Sequence, residues 1–246
     1  MMHAVPQASC VFDTFAAPAG FTFSQINGIS DDGVVVGQLV NEKTQEFVGF
    51  TRSANGVITE YAAPKALTTW MYGRNGVGAD SGFYQDAAYP QHVHGFTLEN
   101  NKLTTINYPK ALNTWLFETN QLGDSVGSYS VSPALIKGFK LVNGKYTTIA
   151  HPDAQSTYAM GINDNGKVVG TFANSPVSNG FIWDNGTFTT LNFPNAKWGT
   201  VLTGINNAGT IVGNHLTADS DIVDPPWPIR ERLRPRSALS IKVRCR

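Results

Sequence analysis

Charge is scarce in this chain, and neither sign prevails. Asp, Glu, Lys and Arg make up 15% of the 246 residues, and 18 basic residues balance 18 acidic ones. A neutral chain projects no basic field of the kind that recruits nucleic acid or an anionic bilayer, so neither is expected as a partner. Long apolar runs are missing as well: none approaches the roughly 18 residues that cross a membrane as a helix. Two cysteines, Cys10 and Cys245, decide no redox compartment. There is no HExxH and no paired CxxC. The acidic turns never complete the spacing of a calcium loop with its downstream glutamate. The acids show no spacing that singles out two for glycoside cleavage. No catalytic residue, metal or cofactor is therefore expected. The N-terminus, Met1 to Pro6, has neither a charged n-region nor an apolar h-region; if the chain is exported, its signal is not in this sequence.

What the chain has in quantity is glycine, 24 in all, and aromatic residues at 11%. The glycines are periodic. The stretch Gly161-Ile-Asn-Asp-Asn-Gly-Lys-Val-Val-Gly170 recurs with drift five times. Its firmest anchors are Gly33 and Gly37, Gly78 and Gly82, Gly123 and Gly127, Gly166 and Gly170, Gly209 and Gly213, in steps of 45, 45, 43 and 43 residues. A leading anchor runs Gly28, Gly73, Gly161, Gly204, broken in the third copy by Glu118. A Gly-Phe pair follows at Gly49-Phe50, Gly95-Phe96, Gly138-Phe139 and Gly180-Phe181, and a proline closes each unit at Pro18, Pro64, Pro109, Pro152 and Pro194. A period of this size means a solenoid, propeller or array of supersecondary units.

Turn chemistry resolves each unit into strands. Ser30-Asp31-Asp32-Gly33 and Asn163-Asp164-Asn165-Gly166 read as hairpin turns, because Asn, Asp and Gly tolerate positive φ. Val34-Val35-Val36 and Val168-Val169 are apolar in both alternation classes and read as strands buried on both faces. Gly-Phe opens a third strand. Asn55-Gly56, Asn143-Gly144 and Asn185-Gly186 turn it into a Thr- and aromatic-rich fourth strand such as Phe188 to Phe193, which proline ends.

These units predict an all-β propeller with five blades of four antiparallel strands. Residues 10–217 form the repeat domain, with units near 19–64, 65–109, 110–152, 153–194 and 195–217, and residues 10–18 as a closing strand. Cys10 to Phe15 matches the fourth strand of a unit, while the fifth unit shows only two strands before the pattern stops after His215. That makes nineteen strands, one short of five sheets of four. A blade shared between the chain ends fits a ring, whereas an open array would leave unpaired edges. Residues 218–246 read as an irregular basic tail, containing Arg230-Glu-Arg-Leu-Arg-Pro-Arg236, or as a truncated or frame-shifted array. Within it, Ser240 to Cys245 alternates like an edge strand that could supply the twentieth strand and bring Cys245 near Cys10.

Gly-Ile-Asn-Asp-Asn-Gly-Lys-Val-Val-Gly, then His94-Gly95-Phe96, then Thr-Thr leading to proline, resembles the HAF family of extracellular repeats found in bacteria. The resemblance covers about residues 10–215. It implies a secreted or surface protein with a propeller-like array, and it says nothing of chemistry. The His of His-Gly-Phe survives in one unit only; Val48, Lys137 and Asn179 replace it elsewhere.

The candidate site residues are Trp70, Trp115, Tyr158, Trp198 and His94. The first three lie six positions after their unit's proline and Trp198 four after Pro194, each near a Thr (Thr69, Thr114, Thr157, Thr200). If exposed, they offer repeated platforms for sugar rings, whose C–H faces stack on aromatics, with multivalent gain. If buried, they pack between blades. Gly73-Arg-Asn-Gly-Val-Gly78 has the outline of a dinucleotide loop, but as copy two of the repeat it precedes no helix. The functional expectation is a non-enzymatic, monomeric extracellular module that binds a glycan or other surface ligand through inter-blade sites. A purely structural surface scaffold is the second reading, and a propeller hydrolase or lyase the third.

Overall fold

The protein is described by a computed structural model. It covers residues 10–174, 177–194, 196, 199–216 and 240–245, and at residues 10–13, 174, 216 and 240–245 the description is of the backbone. Among these residues there is no helix; twenty strands account for the regular structure. β1 (Cys10–Phe15) precedes the first unit. That unit contains β2 (Phe21–Ile29), β3 (Val35–Asn41), β4 (Phe47–Arg52) and β5 (Ile58–Tyr61). Unit two contains β6 (Ala66–Arg74), β7 (Asp80–Asp86), β8 (Val93–Glu99) and β9 (Lys102–Ile106). Unit three contains β10 (Asn113–Thr119), β11 (Ser125–Ser132), β12 (Leu135–Val142) and β13 (Lys145–Ile149). Unit four contains β14 (Ser156–Ile162), β15 (Val168–Asn174), β16 (Val177–Asp184) and β17 (Thr187–Thr190). Unit five has β18 (Gly199–Ile205) and β19 (Ile211–Leu216), and β20 (Ser240–Cys245) ends the described chain.

Each complete unit is an antiparallel up-and-down sheet, the form a propeller blade takes. The turns are those the sequence predicts. Gly166 has a φ of 76° and its N–H donates to Asn163 O at 2.9 Å. Asn143 and Gly144 both take positive φ, 48° and 77°, as a two-residue hairpin turn of the primed kind requires. Unit two reaches the same turn with Asn100 and Asn101. The first strand of every unit carries a register shift just before the leading anchor, for example between Ala159 and Gly161 and between Leu116 and Glu118. The last anchor glycine follows from close approach: a Cβ on Gly170 would overlap the carbonyl oxygen of Tyr158.

Sheets pack face to face, and the core lies between them. Val126 and Ile149 of unit three pack with Ala159, Ile162, Val168 and Phe181 of unit four. Val36 and Tyr61 of unit one pack with Met71 and Phe96 of unit two. The four Gly-Phe phenylalanines are all fully buried. Between neighbours, single parallel bridges join Val93 to Asn113, Ile136 to Ser156 and Ser178 to Gly199.

Two hydrogen-bond series repeat from unit to unit. The first is a chain of asparagines at the end of the opening strands of units two to five, where unit one has Ser30. Asn75 Nδ2 donates to Asn120 O (3.0 Å), Asn120 Nδ2 to Asn163 O (3.1 Å) and Asn163 Nδ2 to Asn206 O (3.1 Å). The same side chains hold their own turns, since Asn163 Oδ1 accepts from Lys167 N at 3.0 Å and Asn206 Oδ1 from Thr210 N at 2.8 Å. In the second series a buried Thr captures the N–H of the residue before the closing proline. Thr69 Oγ1 accepts from Ala63, Thr114 from Tyr108, Thr157 from His151 and Thr200 from Phe193, at 2.8–3.0 Å.

At the chain ends the two readings of the tail part company. Ser240 to Cys245 is a strand, as its alternation predicts, and not part of an irregular tail, but β1 has no ladder with β18 or β19. Its ladder partner is instead β20, with Cys10 opposite Cys245 and Phe15 opposite Ser240. The two form a separate two-stranded sheet. Backbone placement therefore brings residues 10 and 245 together, while their side chains lie outside the described residues. Residues 217–239 also lie outside the description.

The asparagine chain should carry measurable stability. Asn163→Ala removes both an inter-unit donor and a turn acceptor in a buried place, and it should cost about 2 kcal/mol in urea denaturation. A loss under about 0.5 kcal/mol, the scale of an ordinary surface change, would mean the chain of asparagines holds nothing.

Candidate functional site

The aromatic set does not form exposed platforms. Trp70, Trp115 and Tyr158 are 7%, 3% and 5% exposed. Trp70 is stacked between Phe47 of unit one (5.3 Å between centroids) and Phe83 of its own unit (5.1 Å). Trp115 belongs to the same cluster with Phe83 and Phe117. The cause is the strand they occupy: the opening strand of each unit is enclosed by the preceding sheet, so a large ring there fills the inter-unit space. Stacking a sugar needs a free ring face, and these three rings do not present one. Trp198 lies outside the described residues.

His94 is placed differently. It sits second in β8, after a wide connection from β7. Asp86 organises that connection: its Oδ1 accepts from Ala88 N (2.7 Å) and Tyr89 N (3.1 Å). Gln85 Nε2 donates to Pro90 O. His94 Nδ1 lies 2.9 Å from Asn107 Oδ1, its Nε2 lies 3.9 Å from Asp86 Oδ2, and its ring leans on Tyr84 at 5.3 Å between centroids. His92 precedes the strand and stacks on Tyr89 instead, at 5.8 Å. The two histidines thus do not converge as a ligand pair. Among the described residues no group of three or more His, Cys, Asp or Glu is arranged to hold a metal.

His94 opens onto a groove of about 270 Å³ between units two and three. One wall is His92, Val93 and His94; the other is the turn Asn107-Tyr108-Pro109-Lys110-Ala111, with Leu112 and Thr114. The turn is firmly held. Ala111 N donates to Tyr108 O (3.1 Å), Thr114 Oγ1 accepts Tyr108 N (2.9 Å), and Tyr146 OH donates to Asn107 O (3.0 Å). Tyr108 lies flat on Tyr129, 3.5 Å between centroids, and its OH meets Thr148 Oγ1 at 2.8 Å. Lys110 takes a φ of 62°, a left-handed conformation that a long side chain adopts at a cost of order 1 kcal/mol or more. The groove lining therefore combines imidazole, amide and lysine side chains with the apolar Pro109, Ala111 and Leu112.

Asn107 is the functional candidate that sequence reading missed. A signal existed: Asn stands two before the closing proline only in units two and four, as Asn107 and Asn192. In unit four the pair is Asn179 with Asn192, joined at 2.8 Å. The residue before Gly-Phe and the residue two before proline therefore form a couple, and unit two alone makes it with histidine.

One catalytic signature needs a structural answer. Gly123-Asp-Ser-Val-Gly127 spells GxSxG. Ser125 is buried, shares a hydrogen bond with Thr119 Oγ1 (2.9 Å) and starts β11 in a hairpin, with no helix after it. It is copy three of the repeat and not the exposed strand-to-helix elbow of a nucleophile.

Glu118 is the other unusual acid. At its level the opening strands crowd together: a Cβ on Gly73 would lie 3.3 Å from Glu118 Cα, and one on Gly161 would lie 2.8 Å from Gly204 Cα. Glu118 keeps some accessible surface, but its carboxyl is enclosed by protein. Burial pushes it up to about 7, against the backbone hydrogen bond from Ile162 N (2.9 Å), and nearby Asp164 adds to the rise. A carboxyl whose folded pKa lies above its unfolded value binds its proton more tightly when folded. Stability from this group is then present below pH 4.5 and is lost as pH rises toward 7. Glu118→Gln should flatten the stability curve over that window and gain on the order of 2 kcal/mol at pH 8 relative to pH 4. Urea titrations at several pH values check this; parallel curves for the two proteins would remove Glu118 as the cause.

No family model matches the chain, and no curated protein matches it. Among solved structures, the chain is similar to a streptogramin B lyase at 14% identity over 85% of this chain and 74% of the other, with a TM-score of 0.48. It is similar to virginiamycin B lyase from Staphylococcus aureus at 13% identity, over 87% and 76%, TM-score 0.44. A mutant of AofleA from Arthrobotrys oligospora matches at 13% identity, over 83% and 71%, TM-score 0.47. At these values none of their residues or activities carries over to this chain.

Proposed function

We propose that this protein is a five-bladed β-propeller of the HAF repeat type, placed outside the cell, that binds a glycan in the groove between units two and three. The observation behind the reading is His94, held by Asn107 and flanked by Asp86 at the mouth of that groove in the one unit with histidine there. A hydroxyl-rich ligand is recognised by oriented donors and acceptors set over an apolar surface. His92, His94, Asn107 and Lys110 supply the polar set, and Pro109, Ala111 and Leu112 the surface. The extracellular placement rests on the repeat resemblance. A single groove replaces the repeated inter-blade sites expected from the aromatic positions, whose rings are used in packing.

The scaffold reading stands second, and the burial of Trp70, Trp115 and Tyr158 favours it. A glycan array followed by calorimetry separates the two. A binder should lose about tenfold or more in affinity on His94→Ala and on Lys110→Ala, since each removes a polar group from the groove lining worth about 1.4 kcal/mol. The thermal midpoint should stay near the parent's for Lys110→Ala, because Lys110 is exposed, and should fall for His94→Ala, which also gives up the contacts with Asn107 and Tyr84. An array without a hit would leave the scaffold in its place, and a hit indifferent to both substitutions would move the site elsewhere.

A further inference from the structure

β19 has an open edge among the described residues. Among the described residues its ladder partner is β18 alone, and no third strand lies beside it. The surroundings register the loss. Val212 is 60% exposed, whereas its equivalents Val36, Val126 and Val169 are fully buried. Leu191, in the connection after β17, is 42% exposed, whereas its equivalent Ile149 is fully buried. In the complete units such a residue packs on the next unit's Gly-Phe phenylalanine, as Ile106 does with the cluster of Phe139. Unit five has no phenylalanine of this kind before residue 217.

The strand that fits this slot is in the structure. In units one, two and three, the glycine of Gly-Phe faces the residue three before the closing proline: Gly49 faces Tyr61, Gly95 faces Ile106, Gly138 faces Ile149. The phenylalanine faces the residue four before it, as Phe181 faces Thr190 in unit four. In the ladder of β1 with β20 the same offsets recur. Phe15, three before Pro18, faces Ser240, and Thr14, four before it, faces Ile241. Ser240-Ile241 thus stands in the register of Gly-Phe, with a small residue followed by an apolar one. β1 is also already seated as a fourth strand. Phe15 packs with Phe23 (5.2 Å, edge to face) and the cluster of Phe50 in unit one, as Tyr61 packs with Phe96 in unit two.

We propose that β20 docks along the free edge of β19 as the third strand of unit five. β18, β19, β20 and β1 then make the fifth sheet, and the chain's own C-terminal segment closes the ring. The proposal rests on the five-bladed reading but is independent of the glycan groove. The register is set by the complete units, where Gly37 faces Phe50, Gly82 faces Phe96 and Gly170 faces Phe181. Carried to unit five, it puts Gly213 opposite Ile241 and Asn214 opposite Ser240. Docking covers Val212 and gives Leu191 its missing apolar neighbour, and it removes an exposed edge that would otherwise template aggregation.

The test uses the full chain with Cys10→Ser and Cys245→Ser, into which Asn214→Cys and Ser240→Cys are introduced. Facing residues on paired strands have Cα atoms about 4.5–5.5 Å apart, within disulfide reach. Oxidised glutathione should therefore produce an intramolecular cross-link, read by mass spectrometry of the non-reduced monomer. An Asn214→Cys, Lys242→Cys pair, two residues out of register, should link far less. Hydrogen exchange on the unsubstituted chain gives a second readout: consecutive amides of 211–215, on both edges of β19, should be protected to within about tenfold of those of β4. A cross-link found only between molecules would assign the slot to a second copy and overturn the proposal. Protection at only every other amide of β19, in a chain whose β4 is protected, would overturn it as well. Neither result touches the glycan reading, whose variants report on unit two.

Discussion

The fold depends on making one sheet's edge recognise the next. Apolar area alone does not do this, because hydrophobic contact is non-directional. From unit two onward, the asparagine that ends the opening strand supplies direction. One side chain closes its own turn through Oδ1 and reaches the next unit's backbone through Nδ2, so the turn and the unit-to-unit offset are set by the same group. The threonine series does the corresponding work on the opposite side, tying the residue before each closing proline to the next opening strand. The four threonines and Asn75, Asn120 and Asn163 are buried, and a buried polar group left without a partner is costly. Slippage of one unit against its neighbour would break several such bonds at once.

Within that frame the glycines and large rings are complementary. Strand backbones approach so closely at Gly127 and Gly170 that a Cβ would strike the opening strand's carbonyl. The space between sheets is then filled by Phe50, Phe96, Phe139 and Phe181 and by Trp70 and Trp115. Bulk placed between units and none placed within the ladder is a packing solution, and it explains why regular aromatic spacing is a poor guide to binding in such a chain. Recognition falls instead where the repeats differ. Unit two has a histidine before its Gly-Phe, a longer connection organised by Asp86, and an Asn107 to hold the imidazole. Glu118 is the corresponding irregularity in the crowded interior, where a glycine is replaced by a group whose ionisation works against the fold.

Much of this architecture was legible in the residues. Asn-Gly and Asp-Gly pairs, valine runs and proline stops specify strands and turns locally, because the φ preferences of Gly, Asn and Pro act over two or three residues. Repetition then amplified those short-range signals into unit boundaries. The strand character of Ser240 to Cys245 was legible from its alternation, and its partner β1 from the match to a fourth strand.

What tertiary structure alone decided is which surfaces remain free. Sequence spacing put Trp70, Trp115 and Tyr158 at equivalent places but could not say whether the preceding sheet covers them; it does, because inter-sheet distance is a property of the assembled stack. The GxSxG of Gly123 to Gly127 coincides with two repeat anchors, and the hairpin that contains it keeps Ser125 buried away from any strand-to-helix elbow. The couple of His94 with Asn107 spans 13 residues and two strands, and it exists only once β8 and β9 are paired. The sequence by itself determined the strands, the turns and the period, since these are set by local backbone preference. The groove, the covered aromatics and the open edge of β19 arise from contacts between units, and those depend on how the finished sheets meet.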